Sequence, residues 1–512
     1  MIASPTASVH ADMRPADSAH LAPFDLAGKR CFLIGIGGCG MSGLARMLRA
    51  RGASVSGSDA CPADTTDALS REGVAVSFDQ ASGALPEDVD LVVASAAIKP
   101  DNPQMVAAVN RGVQTLTYAE ALGRCMRGRT SVALAGTHGK STTTAMLGVA
   151  LTQAGLDPTV IVGATCAQLG ADGSTPAGFR LGADAIPSGH LAGKPGVLLA
   201  EACEFNRSFH NYHPTVASIS AVEADHLDIY GTLDAVVEAF RDFARQVAPE
   251  SAGGRLIIAH EGAHRREVTA GATCAVETIG FAPGADWRVE FARNGPGSFG
   301  RVSLSRHGKA IASWKIRLPG EHMAFNSALA CALAVTLGAA PDRVARALED
   351  FRGVDRRVQL LGEVGGVKVY DDYGHHPTEV DATLRALREF ERPQDRGGRL
   401  ICVFQPHQHS RTRFLLEEFA QSFSNADVVI VPHIYFVRDS EIEKAKVSAA
   451  DLVDRLRKRG VRAMHLYPFE AIVEQLQAAC RPGDVLAVMG AGPVWQVAHQ
   501  YMAASRGQTS PA

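Results

Sequence analysis

Long apolar runs are missing from this sequence: no stretch approaches the ~18 consecutive apolar residues that a membrane-spanning helix needs. A charge excess is missing too, because 51 lysines and arginines against 54 aspartates and glutamates leave a formal net charge of -3. This balance gives no general attraction to nucleic acid or to an anionic membrane. Any anion-binding site must therefore be built locally.

Paired cysteines are also lacking, since the ten cysteines form no Cys-x-x-Cys pair and no zinc-ligand spacing. Such scatter is typical of free thiols in a reducing compartment, and we expect a cytoplasmic protein. Residues 1–27 lack the apolar core of a signal peptide, so we expect a disordered tail. The remaining length suits about three domains of roughly 150 residues. We place them at 28–125, 126–350 and 351–505.

The stretch Ser131–Ala145 carries the clearest chemical signal. Val132–Ala135 predicts a buried strand, Gly136–Gly139 a tight loop, and Ser141 onward a helix whose first turn is lined with hydroxyls. The free N–H groups and the positive dipole end of such a helix attract an oligophosphate. The pattern therefore predicts a phosphate-binding loop.

Lys140 and the hydroxyls that follow it fit a nucleotide triphosphate with its metal ion. Lys140 could lie along the outer phosphates, while Ser141 or Thr142 could offer an oxygen to Mg²⁺. Leu134 stands where the usual P-loop has its first glycine, so this loop is a shorter variant. A glycine turn that merely joins a strand to a helix would not explain why Gly-Lys-Ser-Thr-Thr-Thr falls together at a helix start.

The first segment contains a second glycine-rich turn. Arg30–Ile36 predicts a strand, Gly35–Gly40 the turn, and Ser54–Gly57 a second strand that leads to Asp59. This arrangement satisfies the dinucleotide-binding fingerprint, but the same glycines could hold the pyrophosphate of a UDP-sugar. The residues alone do not decide between NAD and a UDP-sugar.

The second segment has polar side chains at the ends of two predicted strands. Val197–Glu201 ends in an acid, and Val216–Ser220 leads into His226. Because open α/β sheets bind ligands at strand ends, Glu201 and His226 could bind Mg²⁺ together with Ser141. Glu201 could otherwise cap a helix, and His226 could otherwise be hydrogen-bonded scaffolding.

Hairpins are predicted late in the second segment. Trp287–Arg317 alternates short segments with turns at Asn294–Gly297 and His307–Gly308. Leu318–Asn326 then leads into an alanine-rich helix. Asn326 could read the edge of an adenine, or it could be an N-cap.

The third segment again predicts strands and amphipathic helices in a small α/β layer. Val367–Tyr370 leads into His375 and His376, and Leu400–Phe404 leads into His407. These histidines lack the i,i+4 helical spacing of a zinc site, which argues against zinc. Four arginines could meet phosphate or carboxylate groups rather than serve as exposed solubilising charge: Arg356, Arg357, Arg411 and Arg413.

Four motifs, in order and spacing, resemble those of the Mur ligase family. They are Gly35-Ile-Gly-Gly-Cys-Gly-Met-Ser-Gly43, Ala135-Gly-Thr-His-Gly-Lys-Ser-Thr-Thr-Thr144, Glu223-Ala-Asp-His-Leu-Asp228 and Asp371-Asp-Tyr-Gly-His-His-Pro-Thr-Glu379. The resemblance implies an α/β fold of three domains: a Rossmann-like UDP-binding domain, a central P-loop ATPase domain with a mostly parallel sheet, and a C-terminal Rossmann-like domain.

The resemblance also implies an amide-forming ligase of peptidoglycan precursor synthesis that uses ATP and Mg²⁺. ATP would phosphorylate the lactoyl carboxylate of UDP-N-acetylmuramate. The amine of L-alanine would then attack the acyl phosphate, and phosphate would leave. Closure of the C-terminal domain over the nucleotide would keep water from the acyl phosphate.

The resemblance assigns nucleotide-binding roles to motif positions. Phosphate binding would fall to a continuous run: Gly136, Thr137, His138, Gly139, Lys140, Ser141 and Thr142. Arg357 would face the phosphates, Asp372 the ribose and Asn326 the adenine. In this scheme four residues are also catalytic: Lys140, His226, His375 and Arg411.

Metal, amino-acid and UDP sites follow from the same resemblance. Ser141 and Glu201 would hold one Mg²⁺, and His226 a second. His375 and Arg411 would face the incoming amino acid. The UDP moiety would contact three residues of the first domain: Gly37, Asp59 and Ser95.

The sequence departs from the family pattern at several positions. Gln408 stands where an arginine is usual, which leaves the choice of amino acid open, and Cys203–Phe205 replaces an Asp-Glu-Ser-like run. A relative that attaches a whole tripeptide usually has Phe-Ala in place of Tyr373-Gly374. An NAD-dependent oxidoreductase would leave the phosphate loop without a purpose, and a non-catalytic nucleotide sensor would be expected to lose Lys140 or Glu201.

Overall fold

The computed structural model describes residues 24–170, 172–173, 175–293, 295 and 297–507. These residues form three β-sheets of five, ten and six strands, which follow one another along the chain. Helices alternate with most of the strands. The α/β class predicted from the sequence is confirmed.

The first sheet is parallel throughout the described residues. Its strands are β1 (Arg30–Ile34), β2 (Ser54–Ser58), β3 (Ala75–Ser77), β4 (Leu91–Ala94) and β5 (Gln114–Thr117), in the order β3-β2-β1-β4-β5. Its helices are α1 (Cys39–Ala50), α2 (Asp64–Arg71), α3 (Pro103–Asn110) and α4 (Tyr118–Met126). Strand β1 ends before the predicted Ile36 because Gly35 takes a φ of +78° and turns the chain.

The predicted tail lies mostly outside the described residues, which begin at 24. Leu26, within the predicted tail, is only 2% exposed and packs into the core beneath the first sheet. The ring centroid of Phe24 lies 5.6 Å from the guanidinium carbon of Arg124. The folded part therefore begins before the predicted Gly28.

The central sheet contains the phosphate loop. Its strands are β6 (Thr130–Ala135), β7 (Thr159–Cys166), β8 (Ala177–Arg180), β9 (Val197–Glu201), β10 (Val216–Ile219), β11 (Arg255–Ala259), β12 (Ala275–Gly280), β13 (Trp287–Arg293), β14 (Gly300–Arg306) and β15 (Lys309–Ile316). The order is β15-β14-β13-β12-β11-β10-β6-β9-β7-β8. Strand β6 pairs in parallel with β9 and β10, so the carboxyl ends of these three strands lie at one edge.

The predicted hairpins are confirmed, since β14 pairs antiparallel with both β13 and β15. His307 and Gly308 take φ values of +46° and +76° in the second turn. In the first turn, Asn294 and Pro296 lie outside the described residues. The helices of this unit are α5 (Lys140–Gln153), α6 (Leu227–Tyr230), α7 (Leu233–Arg245), α8 (Arg265–Thr269), α9 (Glu321–Thr336) and α10 (Pro341–Glu349).

The third sheet has the order β16-β17-β21-β18-β19-β20. Its strands are β16 (Gln359–Val364), β17 (Val367–Asp372), β18 (Leu400–Phe404), β19 (Val428–Val431), β20 (Arg462–His465) and β21 (Val485–Met489). Its helices are α11 (Pro377–Glu391), α12 (His409–Phe414), α13 (Leu416–Gln421), α14 (Glu441–Lys444), α15 (Ala449–Lys458), α16 (Phe469–Ala479) and α17 (Trp495–Gly507). Strand β16 is antiparallel to β17, and the other described pairs are parallel.

The three units share hydrophobic cores. One core joins α5 and α9 of the central unit to β17, β18 and α11 of the C-terminal unit, and a second joins the first sheet to the other face of the central sheet. The domain boundaries themselves stay a prediction. Within the described residues, no helix combines the length and the apolar character needed to cross a membrane.

Candidate active site

The phosphate loop is held in a conformation that suits glycine at both ends. Gly136 has a φ of +130° and Gly139 a φ of +80°. A Cβ on Gly136 would lie 2.2 Å from Ser220 Oγ, and one on Gly139 would lie 2.5 Å from Asn326 Oδ1. Strand β6 ends before Gly136 and helix α5 begins at Lys140, so the predicted strand, loop and helix are confirmed.

Lys140 points back over the loop and makes a buried ion pair. Its Nζ donates to the carbonyls of Gly136 and Thr137 and lies 2.8 Å from Glu204 Oε2. Burial acts to lower the pKa of Lys140, but the attraction of Glu204 outweighs it and raises that pKa. Lys140 therefore carries a full positive charge where an oligophosphate would lie.

Ser141, Glu201 and Arg357 come together at the start of α5. Glu201 Oε1 accepts a hydrogen bond from Gly163 N at 2.7 Å, and Arg357 Nη2 lies 3.4 Å from Ser141 Oγ as its donor. Burial raises the pKa of Glu201, while Gly163, Arg357, Lys140 and Ser141 oppose that rise. Gly163 belongs to strand β7, so the backbone N–H that Glu201 Oε1 binds comes from a strand and not from a helix N-terminus.

His226 lies with a different pair of acids. Ligand atoms of Glu204, Asp225 and His226 all lie within 4.8 Å of one another. His226 Nδ1 is buried and has no hydrogen-bond partner among the described residues, and burial lowers the pKa of His226. A neutral imidazole beside two carboxylates fits a divalent cation. The structure thus groups His226 with Glu204 and Asp225.

A cavity of about 600 Å³ opens beside the phosphate loop. It brings together seven residues that the sequence predicted for the nucleotide: His138, Gly139, Ser141, Thr142, Asn326, Arg357 and Asp372. Apolar side chains also line it, among them Phe281, Met323 and Phe325. Its size and mixed lining suit a nucleotide.

Asn326 and Asp372 approach this cavity from different units. Asn326 lies in the second turn of α9, with its Oδ1 against Gly139, so the N-cap alternative is wrong. Asp372 ends β17, where its two oxygens accept from Val358 N at 2.6 Å and Gly374 N at 2.7 Å. Burial raises the pKa of Asp372 to about 6. Their contacts with adenine and ribose stay predictions.

Arg411 and His375 lie where the central and C-terminal units meet. Arg411 Nε donates to Asp225 Oδ1 at 2.9 Å, and both side chains are almost fully buried. The His375 ring lies 5.9 Å from that of His407, and burial together with Arg411 lowers the pKa of His375 to about 4. His375 is therefore neutral at pH 7.

Gln408 occupies an unusual position at the start of α12. It has a φ of +70° and is 1% exposed. Neither polar atom of its side-chain amide has a hydrogen-bond partner within the part of the chain that the structure describes. A buried, unpartnered amide at the start of the helix that carries Arg411 is a natural contact for a polar ligand.

The other arginines meet acids, as the sequence predicted. Arg356 pairs with Asp371 at 3.2 Å, and Arg413 pairs with Glu443 at 3.0 Å. Arg356 thus meets a buried carboxylate, whereas Arg413 and Glu443 pair near the surface.

The three residues predicted for UDP lie on the glycine-rich turn and beside it. Gly37 N donates to Asp59 Oδ2 at 2.7 Å. A Cβ on Gly35 would lie 2.9 Å from Ser95 Cβ, which places Ser95 against the same turn. The structure thus brings Gly37, Asp59 and Ser95 together at the carboxyl end of the first sheet.

A phosphate loop with a buried lysine, acids suited to a divalent cation and a nucleotide-sized cavity define the class: an α/β enzyme that uses a nucleoside triphosphate. The chain belongs to the Mur ligase family. The family's catalytic domain matches residues 32–130, its middle domain residues 134–334 and its glutamate ligase domain residues 356–492. Members of this family are ATP-dependent ligases, which implies ATP and a divalent metal ion.

Similar proteins cover nearly the whole chain. A UDP-N-acetylmuramate--L-alanine ligase of Kineococcus radiotolerans is 40% identical over 477 residues, which are 91% of this chain and 94% of the relative. The enzyme of that name from Agathobacter rectalis is 37% identical over 466 residues, 91% of this chain and 95% of the relative. The family predicted from the four motifs is confirmed.

Solved structures support the fold. The UDP-N-acetylmuramate-alanine ligase of Thermotoga maritima has a TM-score of 0.73 at 24% identity and covers 94% of this chain and 100% of its own. The UDP-N-acetylmuramate:L-alanyl-gamma-D-glutamyl-meso-diaminopimelate ligase of Neisseria meningitides has a TM-score of 0.57 at 26% identity, covering 64% of this chain and 100% of its own.

Four acids that the sequence reasoning gave no role take part in the site: Glu204, Glu223, Asp225 and Glu379. Three of them lie inside the quoted motifs, and the fourth, Glu204, lies just after the predicted strand that ends at Glu201. Because open α/β sheets bind ligands at the carboxyl ends of their strands, an acid so close to a strand end could have been predicted as a site residue. The site roles of the predicted residues themselves stay predictions.

Proposed function

We propose that this protein joins L-alanine to UDP-N-acetylmuramate in peptidoglycan precursor synthesis, with ATP and Mg²⁺, and releases ADP and phosphate. The observation that carries the proposal is the convergence of Lys140, Ser141 and Arg357 at the phosphate loop. It stands in a chain whose relatives, 33% and 40% identical, bear the name of this reaction.

Charge neutralisation is the first task of the site. The carboxylate of the sugar acid must approach an anionic phosphate, and the repulsion has to be offset. The ammonium of Lys140, above the loop carbonyls, and the guanidinium of Arg357, beside Ser141, would hold the phosphates. Mg²⁺ held by Ser141 and Glu201 would neutralise further charge, and Glu204, Asp225 and His226 could hold a second ion.

Acyl transfer is the second task. The carboxylate oxygen attacks the terminal phosphorus of ATP, ADP leaves, and the acyl phosphate forms. The amine of L-alanine then attacks the carbonyl carbon and phosphate leaves with the former carboxylate oxygen. Arg411 would orient the alanine carboxylate. His375 is neutral at pH 7 and can accept a hydrogen bond from the amine.

The sugar-nucleotide end gives a prediction of its own. In Gly37→Ala, the new Cβ would lie 2.7 Å from Thr66 Cγ2 and 2.9 Å from Asp59 Oδ2, so the turn must shift. A misfit of this kind costs about 1–3 kcal/mol, and we expect calorimetry to show UDP-N-acetylmuramate binding weakened by roughly 5- to 150-fold. Binding of an ATP analogue should not change.

Gly284→Ala is the matched control for that variant. The nearest atom to its new Cβ is His260 Cε1 at 3.5 Å, an ordinary contact in the central unit. We expect this control to bind both ligands as the parent protein does. Unchanged sugar-nucleotide binding by Gly37→Ala would place the UDP site elsewhere.

Phosphate release tests the proposed reaction. Purified protein with ATP, Mg²⁺ and UDP-N-acetylmuramate is offered L-alanine, L-serine, glycine or the tripeptide in turn. We expect the highest turnover with L-alanine and none when any component is omitted. The panel also tests whether Gln408 favours another acceptor. Turnover with the tripeptide but with none of the three amino acids would overturn the assignment, and so would binding of NAD in place of ATP.

The cellular setting is part of the same proposal. The described cysteines, all ten of the chain, are free thiols, and eight are buried or half-buried rather than exposed. We therefore propose a cytoplasmic location, where the sugar nucleotide and ATP are both available.

A further inference from the structure

One histidine of the phosphate loop in the central unit, His138, contacts the C-terminal unit. His138 lies in the loop between Thr137 and Gly139. Five side chains meet at this point: His138 and Glu223 from the central unit, and His376, Thr378 and Glu379 from the C-terminal unit. We call these five residues the interdomain latch.

His138 contacts one carboxylate in each unit. Its Nε2 lies 3.4 Å from Glu223 Oε2, and its Nδ1 lies 3.2 Å from Glu379 Oε1 as an ion-pair contact. Its ring lies 4.7 Å from the ring of His376. Thr378 Oγ1 donates to Glu223 Oε2 at 2.6 Å, which adds a second direct bond between the units.

The charges of the latch are complementary. Burial opposes a charge on His138, but hydrogen bonding and attraction from Glu223 and Glu379 raise its pKa to about 10. Glu223 Oε2 faces both His138 Nε2 and Thr378 Oγ1, so one carboxylate oxygen serves both partners. His376 has its pKa lowered by burial and by His138, so His138 alone of the two rings is charged at neutral pH.

Helix α11 fixes the C-terminal half of the latch. Glu379 Oε2 accepts from the backbone N of His375 and of His376, so it caps the helix while its other oxygen faces His138. His376 donates from Nε2 to the Ala224 carbonyl at 3.3 Å and accepts at Nδ1 from Thr378 N. The acid is therefore preset at a helix N-terminus, where a negative charge is favoured.

The central half of the latch is tied to the loop backbone. Glu223 N donates to Thr137 Oγ1 at 2.9 Å, and Ser220 Oγ donates to the His138 carbonyl. A displacement of His138 would therefore shift the loop backbone that leads directly into Gly139 and Lys140. The latch also borders the nucleotide cavity, which is lined by His138, Glu223, Thr378 and Glu379.

We propose that His138 is a positioning residue that couples docking of the C-terminal unit to the conformation of the phosphate loop. Its imidazolium joins Glu223 to Glu379, so loss of the C-terminal acid loosens a loop in the other unit. The inference rests on the proposed function for its kinetic consequence, because a loosened loop binds ATP less well. The change in the loop itself is independent of the reaction.

Three variants test the latch: His138→Gln, Glu379→Gln and the double variant. Glutamine at 379 keeps an oxygen that can cap α11, so the helix start is preserved. We expect each single variant to raise the amide hydrogen exchange rate of residues 136–140 and the KM for ATP roughly 10-fold. The kcat should fall less. The double variant should show no larger rise in loop exchange or in KM than either single variant, because both single variants remove the same interaction.

His307→Gln is the matched control. His307 also contacts two carboxylates, with Nε2 at 3.2 Å from Glu277 and Nδ1 at 3.6 Å from Asp286, but it lies in an exposed hairpin turn. We expect it to match the parent protein in loop exchange and KM. If Glu379→Gln is poorly folded, Thr378→Val removes a different hydrogen bond of the latch, from Thr378 to Glu223, and should raise loop exchange in the same way.

Two results would overturn the latch. One is normal loop exchange in both Glu379→Gln and Thr378→Val, because the C-terminal unit would then not act on the loop. The other is a rise in loop exchange, as large as that in the single variants, when a chelator is added to the nucleotide-free parent protein. Ligand atoms of His138, Glu223 and His376 lie within 4.8 Å of one another, so this result would mean that a metal ion holds them together. Failure of the ligase assay would leave these exchange results unaffected.

Discussion

Lys140→Ala should abolish ADP formation, with phosphate release lowered by about 1,000-fold or more. The variant removes the ammonium that would neutralise the phosphates. It also leaves Glu204 buried beside them without its partner, which adds repulsion. UDP-N-acetylmuramate binding should be unchanged, because the site proposed for it lies on the first sheet. Calorimetry with the sugar nucleotide and a phosphate-release assay measure the two effects separately.

Lys368→Ala is the matched control for this variant. Lys368 also pairs with a buried acid, Glu391, at 2.7 Å, but it lies in β17 away from the phosphate loop. We expect it to lose some thermal stability and to keep its turnover. Equal loss of phosphate release and of sugar-nucleotide binding in Lys140→Ala would contradict the assignment of Lys140 to the phosphates.

Arg411→Met should lower both stability and turnover. The substitution keeps the length of the side chain but leaves Asp225 as an unpaired charge between the units. Breaking a buried ion pair from one side costs about 3–5 kcal/mol, so thermal unfolding should begin at a clearly lower temperature. Arg411→Met combined with Asp225→Asn should regain much of that stability, because no charge is left unpaired. It should not regain turnover.

The stability loss in Arg411→Met should depend on pH. Burial acts to raise the pKa of Asp225, but Arg411 outweighs it and lowers that pKa far below its ordinary value of about 3.9. The parent protein therefore gains stability as pH rises through about 4, where the unfolded chain loses its proton. In the variant, Asp225 has lost Arg411, so burial raises its pKa. The free energy of unfolding of the variant therefore falls as the pH rises. The gap in free energy of unfolding should widen from pH 4 to pH 7, and a constant gap would contradict the buried pair.

Local features were predictable from the sequence because they depend on neighbours along the chain. Strands β9 (Val197–Glu201) and β18 (Leu400–Phe404) match their predicted bounds, since each is an apolar run that ends at a polar residue. The strand, loop and helix around Gly136–Gly139 were predictable for the same reason. Strand β17 continues to Asp372, past the predicted Tyr370, because pairing with β21 extends through both aspartates.

Partners across units were not predictable, because no local pattern records them. Arg411 meets Asp225 across 186 residues, and Arg357 meets Ser141 across 216. The histidine spacing argued against zinc, yet the fold places His376 beside His138 and Glu223, a grouping that spacing along one helix cannot reveal. Only tertiary packing sets these distances.

Oxygen transfer from the sugar acid tests the central claim most directly. UDP-N-acetylmuramate that carries ¹⁸O in both lactoyl carboxylate oxygens is turned over with ATP, Mg²⁺ and L-alanine. The ¹⁸O content of the released phosphate is then measured by mass spectrometry. The account predicts one ¹⁸O in each phosphate, because the former carboxylate oxygen leaves with it. Phosphate without ¹⁸O would mean that water attacks ATP, and it would contradict activation of the carboxylate at the phosphate loop.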